Sequence, residues 1–216
     1  MTESSQQLPR TLWAGLILLF GLLGLAVLLS LAERERQSLP VLGLIADFAL
    51  TNQDGQLTTL ADLTNRVWVA DIIFTRCAGP CPRMSAQMKS VQDALPPKGR
   101  ARLVTLTTDP AYDSPEVLKQ YGERFGADFH RWTFLTGTSA QIALLAANSL
   151  KLGSTPVNAA DRKNAADLFI HTTIFVLVDK HARLRGIFET GGEGVDWENS
   201  VRPSLLAAVR RLEREP

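Results

Sequence analysis

Residues 67–82 read VWVADIIFTRCAGPCP and carry the strongest structural signal in the chain. Its first half, Val67 to Phe74, is almost continuously apolar and rich in β-branched side chains, which is typical of a strand covered on both faces. Its second half holds Cys77 and Cys81, the only two cysteines of the 216-residue chain. Apolar residues then recur at helical spacing, with Pro82 suited to a first turn. The stretch therefore predicts a buried strand that ends at two thiols and leads into a helix.

Around this unit, strands alternate with helices. The pattern predicts an N-terminal β-hairpin over residues 47–60, and an irregular polar segment over 152–168. It further predicts strands at 102–107, 133–135, 172–178 and 183–189, and helices at 82–95, 114–125, 138–150 and 202–212. This order indicates an α/β, thioredoxin-like fold, in which the cysteines lie at the carboxyl end of a strand, where ligand sites form.

The N-terminal region differs from the rest. Residues 12–31 are uncharged and apolar throughout, and about 20 such residues at ~1.5 Å rise match the ~30 Å hydrocarbon layer. We therefore predict a single transmembrane helix here, after a tail at 1–11 and before a tether at 32–40 and a domain at 41–216. A cleaved signal peptide and a buried helix are the alternatives, but the apolar core of a signal peptide would be shorter. The flanking charges do not fix the orientation. The cysteine chemistry favours a domain on the periplasmic side of a bacterial inner membrane.

The composition excludes a nucleic-acid partner. The chain is 45% hydrophobic and 21% charged, with a net charge of +1. It has no basic tract and no basic–aromatic interleaving of the kind that binds polyanions. These values are those of an ordinary globular protein.

Two thiols four residues apart at a helix N-terminus have several uses. The positive potential there, with Arg76 and Arg83 nearby, is expected to lower a thiol pKa. Reversible disulfide formation and capture of a soft metal both remain open. A structural disulfide would close a very small loop and constrain the unfolded chain little. Zinc normally takes four ligands, whereas two thiolates and one imidazole suffice for Cu(I).

The chain offers few further donors. His171 stands before an apolar strand that we expect beside the cysteine helix, and it is either a ligand or a structural hydrogen-bonding residue. His130 and His181 are interpreted as surface residues. Met84 and Met88 continue the helix face of Cys81, and their spacing is typical of core residues.

Two acidic residues are expected close to the cysteines in the predicted fold. Asp71 interrupts the apolar strand six residues before Cys77, the offset of the buried acid in thioredoxins. It is either a proton acceptor for the pair or an acid paired with a buried polar group. Asp109 ends the next strand, before Pro110, where aspartate is often only a turn residue.

Taken together, these spaced motifs resemble the Sco/SenC/PrrC family over residues 47–212. The resemblance rests on Phe74-Thr75-Arg76-Cys77…Cys81-Pro82, Thr108-Asp109-Pro110, Ser114-Pro115-Glu116-Val117-Leu118, Leu135-Thr136-Gly137 and His171-Thr172-Thr173. It implies a membrane-anchored copper metallochaperone that helps to assemble the Cu(A) centre of cytochrome c oxidase.

The resemblance also implies residue roles and partners. Cys77, Cys81 and His171 match the copper ligands, for Cu(I) and with Cu(II) left open, and Asp109 matches an acid linked to copper handling or partner contact. The implied partners are the oxidase subunit that carries Cu(A), other copper chaperones and thiol–disulfide reductants.

One departure keeps a second function open. Many members have proline directly after the first cysteine, where this chain has Ala78, with Gly79-Pro80 before Cys81. The Gly-Pro step and Asp71 are thioredoxin-like. The alternative is a membrane-tethered thiol–disulfide oxidoreductase that uses the same cysteine pair, with Asp71 as proton acceptor, and a redox sensor is a third possibility.

Overall fold

The computed structural model describes residues 10–36, 38–97, 99–156 and 169–216, and for 10–12, 30–36, 154–156 and 169–171 it describes the backbone alone. The chain divides into two compact units between Ser38 and Leu39. The elements are α1 (Arg10–Arg36), β1 (Gly43–Leu44), β2 (Ala49–Asn52), β3 (Leu57–Thr59), α2 (Leu60–Leu63), β4 (Trp68–Ile73), α3 (Pro80–Ala94), β5 (Arg102–Thr107), α4 (Pro115–Arg124), β6 (Trp132–Thr136), α5 (Ser139–Ala143), a π-helical turn (Leu144–Ser149), β7 (Ser154–Pro156), β8 (Phe169–His171), β9 (Ile174–Val178), β10 (Arg183–Glu189), a second π-helical turn (Trp197–Val201) and α6 (Arg202–Arg214).

The first unit contains the helix α1. It begins at Arg10, inside the predicted tail at 1–11, of which residues 1–9 lie outside the described residues. It also extends through residues 32–36 of the predicted tether at 32–40. Crossing a bilayer requires about 20 predominantly apolar residues. Within the described part of the chain, no helix combines the length and the hydropathy for this. The prediction of a transmembrane helix at 12–31 is therefore not supported.

The second unit is built on an eight-stranded sheet. Its strand order is β1-β10-β9-β4-β5-β6-β2-β3, with β4, β5 and β6 parallel and β9 antiparallel to β4. The N-terminal hairpin forms as predicted and joins the sheet by pairing β2 with β6. The alternation of strands and helices is thus confirmed.

The strand β4 lies at the centre of this sheet, and all six of its residues are buried. On one face Val69 and Ile73 pack with residues of α3, α4 and α6. On the other face Trp68, Ala70 and Ile72 pack with residues of α5 and the first π-helical turn. Burial on both faces explains why this strand has no alternation of apolar and polar side chains.

The structure differs from the predicted elements near the site. The helix α3 begins at Pro80 rather than at Pro82, because Gly79 takes the N-cap position and a proline is suited to the first turn. Cys81 therefore belongs to the first helical turn. The segment 152–168, predicted to be irregular, contains β7, which pairs with β8, while 157–168 lie outside the described residues.

A buried ion-pair network lies at the opposite end of the sheet from the cysteines, at the turn between β9 and β10. Arg185 Nη1 donates to Asp179 Oδ2 over 2.6 Å and to Glu215 Oε2 over 2.9 Å, and Nη2 donates to the Leu39 carbonyl oxygen over 2.6 Å. Burial alone would raise the pKa of Asp179, but hydrogen bonds from Arg185 and Arg183 outweigh it and hold that pKa below its ordinary value. The network thus connects Leu39, near the start of the domain, and Glu215, near its end, to the sheet.

Replacing Arg185 with methionine should destabilise the domain by about 3–5 kcal/mol, since it leaves the carboxylate of Asp179 buried without its cation. Urea unfolding monitored by tryptophan fluorescence measures this, with the exposed Arg210→Met as the matched control. Because the pKa of Asp179 is lowered on folding, the wild-type contribution is full above pH ~4 and is lost as the pH falls through the folded value. A loss below about 1 kcal/mol would contradict the assignment.

Candidate functional site

Cys77 lies in the turn that follows the carboxyl end of β4, and Cys81 lies in the first turn of α3. The backbone N–H of Cys77 donates to the carbonyl oxygen of Phe74 over 3.2 Å, which folds the chain back just after the strand. Cys77 is half-buried, whereas Cys81 is fully buried against the core. No disulfide joins them. One sulfur is therefore accessible to a partner and the other is shielded.

The electrostatic surroundings strengthen this asymmetry. A hydrogen bond with the side chain of Cys77 and then burial raise the pKa of the Cys81 thiol far above its ordinary value, and the negative charges of Cys77 and Asp71 add to the effect. A hydrogen bond with the backbone of Phe74 opposes them only in part. The expectation that the helix N-terminus lowers the thiol pKa is thus wrong for Cys81, because burial and neighbouring negative charge outweigh it. Cys81 remains a protonated thiol at neutral pH.

Asp71 lies in β4 on the same face as the buried cysteine, and it is fully buried. The hydroxyl of Thr105, its neighbour in β5, donates to Asp71 Oδ1 over 2.7 Å, and that hydroxyl accepts from Trp132 Nε1 over 2.9 Å. The predicted polar partner is therefore Thr105. The influence of Asp71 on the pKa of Cys81 shows that its charge acts on the dithiol. A role in proton transfer stays a prediction.

Asp109 follows β5 and is bound to the cysteine turn. Its Oδ2 accepts from Arg76 Nη2 over 2.5 Å, and the Arg76 guanidinium lies 4.0 Å from the centre of the Tyr112 ring. Arg76 is thus directed at Asp109. Asp109 also lines a largely apolar cleft of about 310 Å³, together with Pro110 and residues of α5. This position suits the partner contact that the resemblance implied.

A third acid, Asp113, was missed in the sequence. Its buried carboxylate accepts from the backbone N–H of Thr75 over 3.1 Å and from the hydroxyl of Thr75 over 2.5 Å. It also accepts from the hydroxyl of Thr107. Asp113 directly precedes the helix N-cap Ser114 and fits an ordinary turn, so its place along the chain did not point to these contacts.

His171 is described by its backbone alone. It ends β8, opposite Ser154, and the chain continues to Thr173, whose carbonyl oxygen accepts from Thr190 N over 2.8 Å. The carbonyl oxygen of Thr190 in turn accepts from Gln87 Nε2 of α3 over 2.8 Å. The backbone of His171 therefore leads into β9 at the end of the sheet where the cysteines lie. Its ligation of a metal stays a prediction.

The other candidate donors lie elsewhere. His130, before β6, and His181, in the turn between β9 and β10, are exposed at the opposite end of the sheet. Met84 and Met88 are fully buried in the core, as their spacing predicted. Among the side chains that the structure describes, no group of three or more His, Cys, Asp or Glu residues could hold a metal ion.

Comparison with known proteins adds an independent observation. The model of the SCO1/SenC family matches residues 37–202. The chain is 34% identical over 136 residues to the SCO1 protein homolog of Bacillus subtilis, covering 62% of this chain and 67% of that protein. It is 31% identical over 144 residues to a candidate copper-binding protein of Stutzerimonas stutzeri, covering 66% of this chain and 67% of the relative.

A solved structure supports the same assignment. BsSco, a member of the Sco family of cytochrome c oxidase assembly proteins in which a disulfide switch was identified, superposes with a TM-score of 0.68 at 28% identity. The superposition covers 83% of this chain and 100% of that one. This likeness confirms the predicted thioredoxin-like fold of the domain.

The burial of Cys81 makes a difference in thiol reactivity that can be measured. At neutral pH we expect Cys77 in a Cys81→Ser variant to react with iodoacetamide at least ~100-fold faster than Cys81 in a Cys77→Ser variant, because only thiolates react. Cys81 stays shielded in that variant, and burial and the charge of Asp71 still raise its pKa after the Cys77 thiol is removed. Mass spectrometry of timed samples gives both rates, and both should become equal in denaturant. Comparable rates in the native proteins would show that Cys81 is accessible.

Proposed function

The chain belongs to the SCO1/SenC family, and on that premise we propose that it is a copper metallochaperone for the Cu(A) centre of cytochrome c oxidase. The observation that carries the proposal is the pair of reduced thiols at the carboxyl end of β4, one accessible and one buried. Copper is the cargo in this proposal rather than a resident cofactor.

The donor chemistry supports copper over zinc. Two thiolates from Cys77 and Cys81 are soft ligands, and with one imidazole they complete a low-coordinate site of the kind that Cu(I) accepts. His171 is our choice for that imidazole, since its backbone lies at this end of the sheet and the other two histidines lie at the far end. Zinc would need a further ligand.

The two sulfurs have different tasks in loading and transfer. Cys81 gives up its proton when it becomes a ligand, so loading releases a proton and weakens as the pH falls. Cys77 is the sulfur that ligands of the acceptor subunit reach first, and transfer proceeds by stepwise ligand exchange. A disulfide between Cys77 and Cys81 would remove both thiolates, so the protein must be reduced before it can load.

A thiol–disulfide oxidoreductase is the second candidate, favoured by the unequal exposure of the cysteines and by the buried Asp71. Cys77, as thiolate, attacks a partner disulfide and releases one partner thiolate. Cys81 then attacks the Cys77 sulfur, releases the second partner thiolate and leaves a Cys77–Cys81 disulfide. Two electrons pass from the dithiol to the partner, and Asp71 takes the proton of Cys81 for transfer to a leaving thiolate.

Both candidates suit a compartment outside the cytoplasm. Disulfides form and persist in oxidising compartments such as the periplasm, so a cysteine pair that becomes oxidised as part of its function suits such a compartment. We therefore propose that the domain acts on the extracytoplasmic side, next to the membrane that carries its acceptor.

Replacing His171 with alanine should weaken Cu(I) binding by more than about 100-fold, beyond the 10–100-fold typical of groups that only orient a ligand. Formation of the Cys77–Cys81 disulfide should be unaffected. Competition with a Cu(I) chelator under anaerobic conditions measures the affinity, with His181→Ala as the matched control. Unchanged affinity in His171→Ala would remove this residue from the ligand set.

Replacing Asp71 with asparagine tests the second candidate. If Asp71 accepts the proton, reduction of a small-molecule disulfide should slow by about 100-fold, the lower end of what general acid–base catalysis contributes. Cu(I) affinity should change little. Thr105→Val serves as the control, because it removes the hydrogen bond to Asp71 and keeps the carboxylate. Equal reduction rates for wild type and Asp71→Asn would count against a proton role.

A further inference from the structure

Asp113 is a buried carboxylate to which the proposed function assigns no role. The residue has 0% exposure, and the described part of the chain offers it no ion pair with a cation. Its three donors come from Thr75, which precedes Cys77 by two residues, and from Thr107, the last residue of β5. One carboxylate thus joins the cysteine turn, the end of a central strand and the start of α4.

If Asp113 served only to stabilise the fold, a buried carboxylate without a cation would be an unfavourable choice. A buried carboxylate without a cation loses its hydration, and burial raises the pKa of Asp113 although the hydrogen bonds from Thr107 and Thr75 oppose this. A carboxylate nevertheless fits the donors, because it accepts at both oxygens and donates nowhere. An asparagine of the same shape would replace one accepting oxygen with an N–H group, so a hydrogen bond from a threonine to that oxygen would be lost or reversed in direction.

A neighbouring acid, Asp109, binds Arg76, which follows Thr75 in the cysteine turn. Asp109, four residues before Asp113 in the same loop, holds Arg76, while Asp113 holds Thr75. The two residues between Phe74 and Cys77 are therefore both bound to the loop that follows β5. Both contacts thus lie within two residues of Cys77 along the chain.

We propose that Asp113 is a positioning residue of the dithiol: by fixing Thr75 it keeps the Cys77 sulfur within reach of Cys81 and so favours closure of the disulfide between them. Disulfide closure within one chain is governed by the effective concentration of one sulfur at the other, and a turn held in place raises it. The inference deepens the proposed function, since it concerns the same sulfur pair, but it holds whether or not copper binds.

The test is the equilibrium between the full-length protein and glutathione, read from the fraction of Cys77–Cys81 disulfide after acid quenching. Asp113→Asn should lower the equilibrium constant for disulfide formation at least ~10-fold, equivalent to about 30 mV in reduction potential. The matched control is Asp179→Asn, a second buried aspartate at the other end of the sheet. It should lower the urea midpoint without moving the glutathione equilibrium.

A pair of threonine variants tests the inference even if Asp113→Asn does not fold. Thr75→Val removes the hydroxyl donor and should shift the equilibrium in the same direction, whereas Thr75→Ser keeps both donors and should restore the wild-type value. A wild-type equilibrium in folded Asp113→Asn, an equal shift in Asp179→Asn, or identical values for the two Thr75 variants would overturn the proposal. None of these readouts involves copper, so failure of the copper assignment would leave them interpretable.

Discussion

The burial of β4 on both faces is the constraint on which the site depends. Its side chains alternate between two apolar clusters, so a shift of one residue in register would move Asp71 and every apolar neighbour to the wrong face. Pairing with β5 on one side and β9 on the other fixes the strand along its length. The point where the strand ends is therefore fixed too, and the cysteine turn begins from it.

The end of β4 alone does not determine the conformation of the cysteine turn. The loop after β5 binds the turn at a second point. Parallel pairing brings the carboxyl ends of β4 and β5 together, so residues 109–113 lie beside the cysteine turn although more than thirty residues separate them in sequence. Asp109 forms its contact where a partner can reach it, since the Arg76 side chain is 40% exposed, whereas Asp113 forms its contacts in the interior. The outer contact is therefore open to solvent, whereas the inner one is shielded from it.

The sequence predicted the elements that carry local signals. The apolar run of β4, the proline and serine at the start of α4 and the turn of the N-terminal hairpin all act within a few residues, and each was found. The contacts of Asp113 were not predictable, because its partner Thr75 lies 38 residues away and its own surroundings fit a helix cap. The raised pKa of Cys81 was also missed. It depends on the hydrogen bond with the Cys77 side chain and on burial, whereas the sequence shows only the favourable helix terminus.

The two proposed functions, copper delivery and disulfide exchange, would use the same asymmetric dithiol. In both proposals the accessible Cys77 meets the partner first and the buried Cys81 completes the step after losing its proton. What separates the two functions is the group that assists: an imidazole from the chain before β9, or the carboxylate of Asp71 beneath the helix start. The two groups belong to different segments of the chain, the one before β9 and the strand β4. The same two sulfurs cannot serve both functions at once. A bound Cu(I) ion occupies the electron pairs that a disulfide would use, and a disulfide leaves no thiolate for copper.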